Sequence, residues 1–230
     1  LDKVGIVVLD EADRMLDMGF APQLKKILSA VPKERQTMLF SATMPDEIAR
    51  LTVNFMKLPM RLEVARSGST PKEVAQEIFF VQPALKARLL EKLLGEYKGP
   101  VLVFTRTKHG ARKLNRMIRD MSHKSSEIHS DRTLLQRRQA LEGFKSGQYR
   151  ILVATDIAAR GIDVHGIELV VNYDLPEQAE DYIHRIGRTG RAGMGGKAVS
   201  FAMPNQWAEV RQIEKLLRIV LPVAKLPDEL

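Results

Sequence analysis

Along the chain, short runs of consecutive apolar residues alternate with longer stretches in which apolar residues recur every three or four positions. The first kind predicts buried strands and the second amphipathic helices. Early in the chain, strands are expected at 4–9 and 36–40. A helix is expected at 22–31, with Leu24, Ile27, Leu28 and Val31 on one side. Another opens at Pro45 with Asp46 and Glu47, acids suited to a positive helix start. Residues 61–64 are a candidate last strand, and the turn-rich 66–72 reads as a linker. A fuller block follows, with expected strands at 101–105, 126–129, 151–154, 169–173 and 198–203. Its expected helices cover 84–96, 110–121, 134–144, 178–186 and 206–220. The stripe Trp207, Val210, Ile213, Leu217 and Val220 on the last helix reads as core packing. Residues 221–230, with two prolines, read as a tail. Strands alternating with helices predict a mostly parallel sheet covered on both faces.

Composition narrows the class. The chain has 230 residues, 44% hydrophobic and 28% charged, as in a soluble globular protein of one large or two small domains. No apolar stretch approaches a membrane span, and a signal peptide is not expected from Leu1-Asp2-Lys3. With no cysteine there are no disulfides or thiolate metal sites, which is compatible with the cytoplasm, the expected location. Leu1 in place of an initiator Met, and a strand starting within a few residues, predict a piece of a longer protein. The net charge of +8 is uneven. Residues 1–70 carry 10 Lys and Arg against 9 Asp and Glu, whereas residues 71–230 carry 26 against 19. A basic second part suits either a polyanion partner or a solvated surface.

Candidate chemistry sits at strand ends. Asp10 and Glu11 follow the apolar run Ile6–Leu9. In an α/β nucleotide site that place holds a magnesium-ligating Asp and an acid that handles the attacking water. Ser41 and Thr43 end the next expected strand and can hydrogen-bond such carboxylates, or simply cap a helix. After the strand at 151–154, Thr155 offers a hydroxyl to a phosphate or ribose. Gly161 permits close backbone approach, and Asp163 can accept from a ribose. Asp156 and Arg160 read as a local ion pair or cap. In "YIHRIGRTGRAG" (182–193), Arg185, Arg188 and Arg191 stand three apart with glycines interleaved. Guanidiniums crowded in this way call for a neutralising anion, and their rigid forks suit phosphate. "GMGGKA" (193–198) lacks the spacing and the Ser/Thr of a phosphate loop. The five His show no metal-ligand spacing.

"DEAD" (10–13), "SAT" (41–43), "VFTRT" (103–107), "ATDIAARGID" (154–163) and "HRIGRTGR" (184–191) stand in the order seen in DEAD-box ATP-dependent RNA helicases, which the chain resembles over essentially its whole length. Its details look like the bacterial RhlE-like branch. The resemblance implies RecA-like parallel sheets flanked by helices, the P-loop NTPase superfamily 2 helicase architecture, with one partial and one complete lobe. Residues 1–65 would be the C-terminal part of the first lobe, 66–72 the linker, 73–220 the second lobe and 221–230 a tail. The cofactors implied are ATP and Mg2+, and the partner is RNA, held mainly by its backbone with little sequence reading. The chain is expected to be a monomer away from membranes.

Roles follow residue by residue from the same resemblance. Asp10 would hold magnesium through water, and Glu11 would orient and deprotonate the attacking water. Asp13 and His184 would join a network across the lobes, while Ser41 and Thr43 would couple hydrolysis to unwinding. Gly161 and Asp163 would contact the nucleotide. Arg188 and Arg191 would be arginine fingers, and Arg106, Arg132 and Thr155 would touch the RNA backbone. The chain departs from the family pattern at Leu134, where Gln is frequent, and at Ser130, where Gly is common. The adenine-reading segment and the phosphate loop with its Lys are absent from residues 1–230, so hydrolysis by these residues alone is not expected. A non-catalytic RNA-binding or adaptor module, and a DNA-acting helicase of the same superfamily, stand as rival readings.

Overall fold

The computed structural model describes residues 1–41, 44, 46–62, 74–159, 164–190 and 195–227. The chain divides into two compact units, Leu1–Ser69 and Thr70–Leu230.

In the first unit, β1 (Ile6–Leu9) pairs in parallel with β2 (Gln36–Leu39), in a register that sets Leu9 beside Leu39. Helices α1 (Ala12–Asp17), α2 (Ala21–Ala30) and α3 (Asp46–Phe55) accompany them. Helix α1 was not anticipated. It is only six residues long, too short for the i, i+3, i+4 pattern to show. Leu9, Ala12, Leu24, Leu28, Ile48 and Leu51 form the core. Arg35 clamps the unit from the side. Its guanidinium donates to the Pro32 carbonyl (2.7 Å), to Thr37 Oγ1 (3.1 Å) and to the Phe55 carbonyl at the end of α3 (3.4 Å). The other face of the two-stranded sheet is open, with Ile6, Val8 and Phe40 each more than half exposed. Arg61 and Leu62 carry no strand, and 63–64 and the expected linker lie outside the described residues.

The second unit is a six-stranded parallel sheet in the order β3-β8-β7-β4-β6-β5. Its strands are β3 (Val74–Phe80), β4 (Val101–Phe104), β5 (Ser125–Ile128), β6 (Ile151–Ala154), β7 (Leu169–Asn172) and β8 (Gly196–Ala202). The helices are α4 (Lys86–Glu96), entered through a 3-10 turn, α5 (Lys108–Asp120), α6 (Leu134–Lys145), the single turn α7 (Asp156–Ala159), α8 (Ala179–Ile186) and α9 (Trp207–Leu217). Strands β4, β6 and β7 are buried at every position, as continuous apolar runs between two helical layers must be. Alternate residues face opposite layers. Leu102 and Phe104 join a core with Phe144 of α6, Tyr182 and Ile186 of α8, and Val210, Ile213 and Leu217 of α9. Val101 and Val103 join the other core, with Leu89, Leu90, Leu93 and Leu94 of α4 and Ala111, Leu114 and Ile118 of α5.

Three features depart from the sequence reading. Strand β3 was missed, because Gln76 and Glu77 interrupt its apolar run, although Ile78-Phe79-Phe80-Val81 ahead of Pro83 carried a strand signal. Helix α9 stops at Leu217, where Arg218 adopts a left-handed φ of 55°, and Trp207 and Val220 are exposed rather than core. Residues 221–224, read as a tail, run beside β3. Ile78 N–H donates to the Pro222 carbonyl and Ala224 N–H to the Ile78 carbonyl, both at 2.9 Å, and Leu221 is buried. A proline is tolerated there because an edge position needs only its carbonyl.

The two units differ in how much apolar surface they cover. Native-state hydrogen exchange is expected to show weaker protection for amides of β1 and β2 than for those of β4, β6 and β7. Equal protection in both sets would contradict this.

Candidate functional site

Because every pairing is parallel, the C-terminal ends of the strands in each unit share one edge, where α/β folds place ligands. In the first unit that edge carries the two carboxylates. The chain leaves β1 through Glu11, whose backbone is left-handed (φ 49°, ψ 48°), an uncommon conformation for a residue with a side chain. Asp10 is exposed, and its Oδ1 accepts the Glu11 N–H at 2.9 Å. Strand β2 is stitched to the same corner, for Phe40 N–H donates to the Leu9 carbonyl (2.7 Å) and Ala12 N–H to the Phe40 carbonyl (3.0 Å). Ser41 Oγ then accepts the N–H of the buried Asp13 at 3.1 Å, and Asp13 Oδ1 accepts from Arg14 N–H. Asp10, Glu11, Asp13 and Ser41 are thus one cluster. Thr43 lies outside the described residues.

The arrangement at Asp10 is compatible with a hard cation held through water. Its carboxylate is exposed, and no described group of three or more His, Asp or Glu offers an all-protein cage. Magnesium characteristically keeps several waters and takes only one or two carboxylates.

In the second unit, Phe104, Ala154 and Ile128 lie in register on the adjacent strands β4, β6 and β5. The segments that follow therefore bring Arg106, Thr155 and Arg132 to one edge. Thr155 is nearly buried. Its carbonyl accepts from the Ala158 and Ala159 N–H groups and so opens α7. Arg106 is exposed. Its backbone N–H donates to Asp174 Oδ2 (3.2 Å) and its guanidinium to the Leu175 carbonyl (3.3 Å). Asp174 is itself gripped by the buried Lys86, whose Nζ lies 3.1 Å from Oδ1 and 2.7 Å from the Tyr173 carbonyl. Arg132 donates through Nε and Nη2 to Oε1 of the buried Glu127. Leu134, at the family's Gln position, starts α6 three-quarters exposed, behind a capping box made by Thr133 and Gln136.

The arginine-rich segment divides. Arg185 is 1% exposed and belongs to no anion site. Its Nε and Nη2 donate to the two oxygens of Asp156 at 2.6 and 2.7 Å. Its Nη1 donates to the Asp174 carbonyl (2.6 Å) and to Asn172 Oδ1 (3.2 Å), and the guanidinium lies over the Phe104 ring. The expected need for a bound anion is thus met from within, and Asp156 has a partner 29 residues away rather than a local one. The spacing of Tyr182, Arg185 and Ile186 on the buried face of α8 was the available signal. Arg188 is only partly buried, with Nε 3.3 Å from the His184 carbonyl. It lines a shallow pocket with Gly166, Ile167, Glu168, Thr189, Gly190 and Gly195. Gly190 turns there with φ 66°, and a side chain on Gly196 would meet Thr189 Oγ1 at 2.3 Å. Lys197 pairs with Glu77 at 2.9 Å. Gly161, Asp163 and Arg191 lie outside the described residues.

Two family models match the chain. Residues 1–51 match the DEAD/DEAH box helicase model, and residues 85–193 match the helicase conserved C-terminal domain. The chain belongs to the DEAD-box helicase family. It is 40% identical over its full length to the ATP-dependent RNA helicase DbpA of Bacillus subtilis. Over 94% of its length it is 43% identical to the ATP-dependent RNA helicase CshA of Listeria monocytogenes. It spans 48% and 42% of those two proteins, about half their length. Among solved structures, S. cerevisiae Dbp5 bound to RNA and ADP BeF3 matches 97% of the chain at 33% identity, with a TM-score of 0.89, and the chain covers 60% of it. A DEAD box protein from Methanococcus jannaschii matches 96% at 38% identity, with a TM-score of 0.65 and 60% of that protein covered.

In this DEAD-box chain the pair formed by Arg185 and Asp156 fixes the edge of the second unit. Asp156→Ala is expected to cost on the order of 3 kcal/mol in chemical denaturation, because it strands a buried guanidinium. Asp156→Leu combined with Arg185→Met should recover part of that loss. Equal destabilisation by the single and the double change would show that the ion pair is not what holds this edge.

Proposed function

We propose that residues 1–230 are part of an ATP-dependent RNA helicase in which RNA-stimulated ATP hydrolysis drives local unwinding of short duplexes. The observation that carries this reading is the clustering of Asp10, Glu11, Asp13 and Ser41 at one strand edge, in a chain that also places Arg106, Thr155 and Arg132 along another. Asp10 would hold Mg2+ through water. When bound, that ion neutralises charge on the ATP phosphates. Glu11, set by its left-handed backbone at the mouth of α1, orients and deprotonates the attacking water. Asp13 and Ser41, already hydrogen-bonded, carry the state of that corner into the fold, with Thr43 and His184 assigned to the same coupling. Arg188 and Arg191 stabilise charge on the transferring phosphoryl, and Gly161 and Asp163 contact the nucleotide.

On RNA, Arg106, Arg132 and Thr155 contact phosphates rather than bases, which suits an excess of basic residues and binding with little sequence preference. No described helix is long and apolar enough to cross a membrane. A cytoplasmic monomer of the RhlE-like branch is the finer assignment, supported by the lack of cysteine for the compartment and by the motifs for the branch.

Residues 1–230 contain no Gly-Lys-Ser/Thr phosphate loop. By themselves they are expected to release no phosphate from ATP, with or without RNA. The same residues behind a phosphate-loop segment should turn over when RNA is added, and should lose roughly 100-fold or more in rate on Glu11→Gln. Magnesium-dependent turnover by residues 1–230 alone, abolished by Glu11→Gln, would overturn the assignment of an incomplete site. Matched RNA and DNA oligomers decide the polymer, since only contacts to the 2′-hydroxyl separate them.

A further inference from the structure

The carboxylate of Glu127 is 4% exposed on β5, and its surroundings are unusual. Arg132 supplies two donors, Nε and Nη2, both to Oε1. The ring of His129, fully buried, brings Nε2 to 3.5 Å from the same oxygen. Glu127 Oε2 and both His129 ring nitrogens make no hydrogen bond among the described residues. The carboxylate therefore depends on Arg132 for its compensation. If Arg132 swung away to meet a phosphate, it would leave a buried carboxylate without its arginine, a costly change. Arg132 has to bind any further anion while Glu127 still holds it.

The guanidinium allows this. It presents donors along two edges, and a carboxylate on one edge leaves the other free for a second anion. Here Glu127 takes the Nε–Nη2 edge. Nη1 makes no hydrogen bond among the described residues, and the side chain is 35% exposed. The free edge belongs to a residue that follows β5, beside the ends of β6 and β4 that bring Thr155 and Arg106.

We propose that Glu127 is a positioning residue for RNA binding, holding one edge of the Arg132 guanidinium so that the Nη1 side is fixed for a backbone phosphate. This rests on the RNA reading above. Glu127 works from beneath the surface, through Arg132, and touches no nucleotide. Simple charge counting predicts the opposite sign for its removal. Neutralising a carboxylate near a polyanion strengthens binding, whereas loosening the arginine it holds weakens it.

The test uses a fluorescent single-stranded RNA titrated with residues 1–230 over a range of salt concentrations. Glu127→Gln keeps the size of the side chain and an acceptor oxygen. It is expected to weaken binding by about 5-fold and to flatten the slope of log affinity on log salt by about 0.7, as for one lost phosphate contact on a single strand. In an Arg132→Gln background, the same Glu127 change should alter affinity by no more than experimental error. Tighter binding by Glu127→Gln, or equal weakening in both backgrounds, would overturn the positioning role. If Arg132→Gln itself leaves RNA affinity and salt slope unchanged, the failure lies with the RNA assignment of Arg132, and the inference falls with it. A measurement on the unaltered chain covers the case in which the Glu127 variant does not fold. The Arg132 Nε–H resonance, identified by its loss in Arg132→Gln, should stay protected from solvent when RNA is added. Its loss on RNA binding would mean that Arg132 leaves Glu127 and would overturn the proposal.

Discussion

The edge of the second unit depends on a buried guanidinium. Arg185 ties α8 to α7 through Asp156, to the end of β7 through Asn172 and the Asp174 carbonyl, and to β4 through the Phe104 ring. One side chain thereby sets three segments that carry candidate ligands. Thr155 opens α7, Asp174 holds the Arg106 backbone, and Arg188 follows one turn after Arg185 on the far side of Gly187. Burying an arginine is costly unless its donors are met, and here four of the five N–H groups are met among the described residues, with each of Nε, Nη1 and Nη2 engaged. The cost is offset by geometry: a bidentate carboxylate fixes both distance and plane, which a hydrophobic contact cannot do.

A common logic runs along this edge. The arginines that face solvent are each held by acceptors of the fold. The Arg106 guanidinium donates to the Leu175 carbonyl while its backbone N–H is held by Asp174, and the Arg132 guanidinium is held by the buried Glu127. Such pairing lets a basic surface keep its arginines in fixed directions rather than as a diffuse positive field. A polymer read through evenly spaced phosphates rewards fixed directions, because each misplaced cation loses a contact without gaining another. The first unit solves a different problem. It presents Asp10 and Glu11 by turning the chain sharply at Glu11, and it holds that turn with backbone bonds from Phe40 and Ala12 and with the Ser41 hydroxyl.

Much of this was legible in the sequence. Fully buried strands such as Val101–Phe104 and Ile151–Ala154 announce themselves as unbroken apolar runs, and α5 through its helical spacing. The motifs located Asp10, Glu11, Ser41 and Thr155 at strand ends because short apolar runs end at identifiable residues. Elements that depend on distant partners were not legible. Strand β3 is defined by β8, more than a hundred residues later, and its own polar residues hide it. Residues 221–224 look like a tail until the β3 edge they cover is known. Arg185 was misread for the same reason. Three arginines at equal spacing look equivalent in one dimension, and only burial separates the one that is structural. Glu127 gave no signal at all, since a single acid in a short strand acquires meaning from Arg132 and His129 only after the turn at 129–132 is folded.

The pairing of β3 with β8, and of β3 with residues 222–224, has a consequence for synthesis. The first strand of the second unit to leave the ribosome is the last to find its neighbours. Until residue 202 has emerged, Val74–Phe80 is a length of apolar backbone with no ladder to join, and until residue 224 its outer side stays open. Strands β4, β6 and β5 can assemble earlier around α5 and α6, so the nascent chain carries a folded middle and a waiting beginning. The same closure runs parallel to β3, so residues 222–224 act as a seal laid along the middle of that strand, the way a zip closes over a seam already sewn.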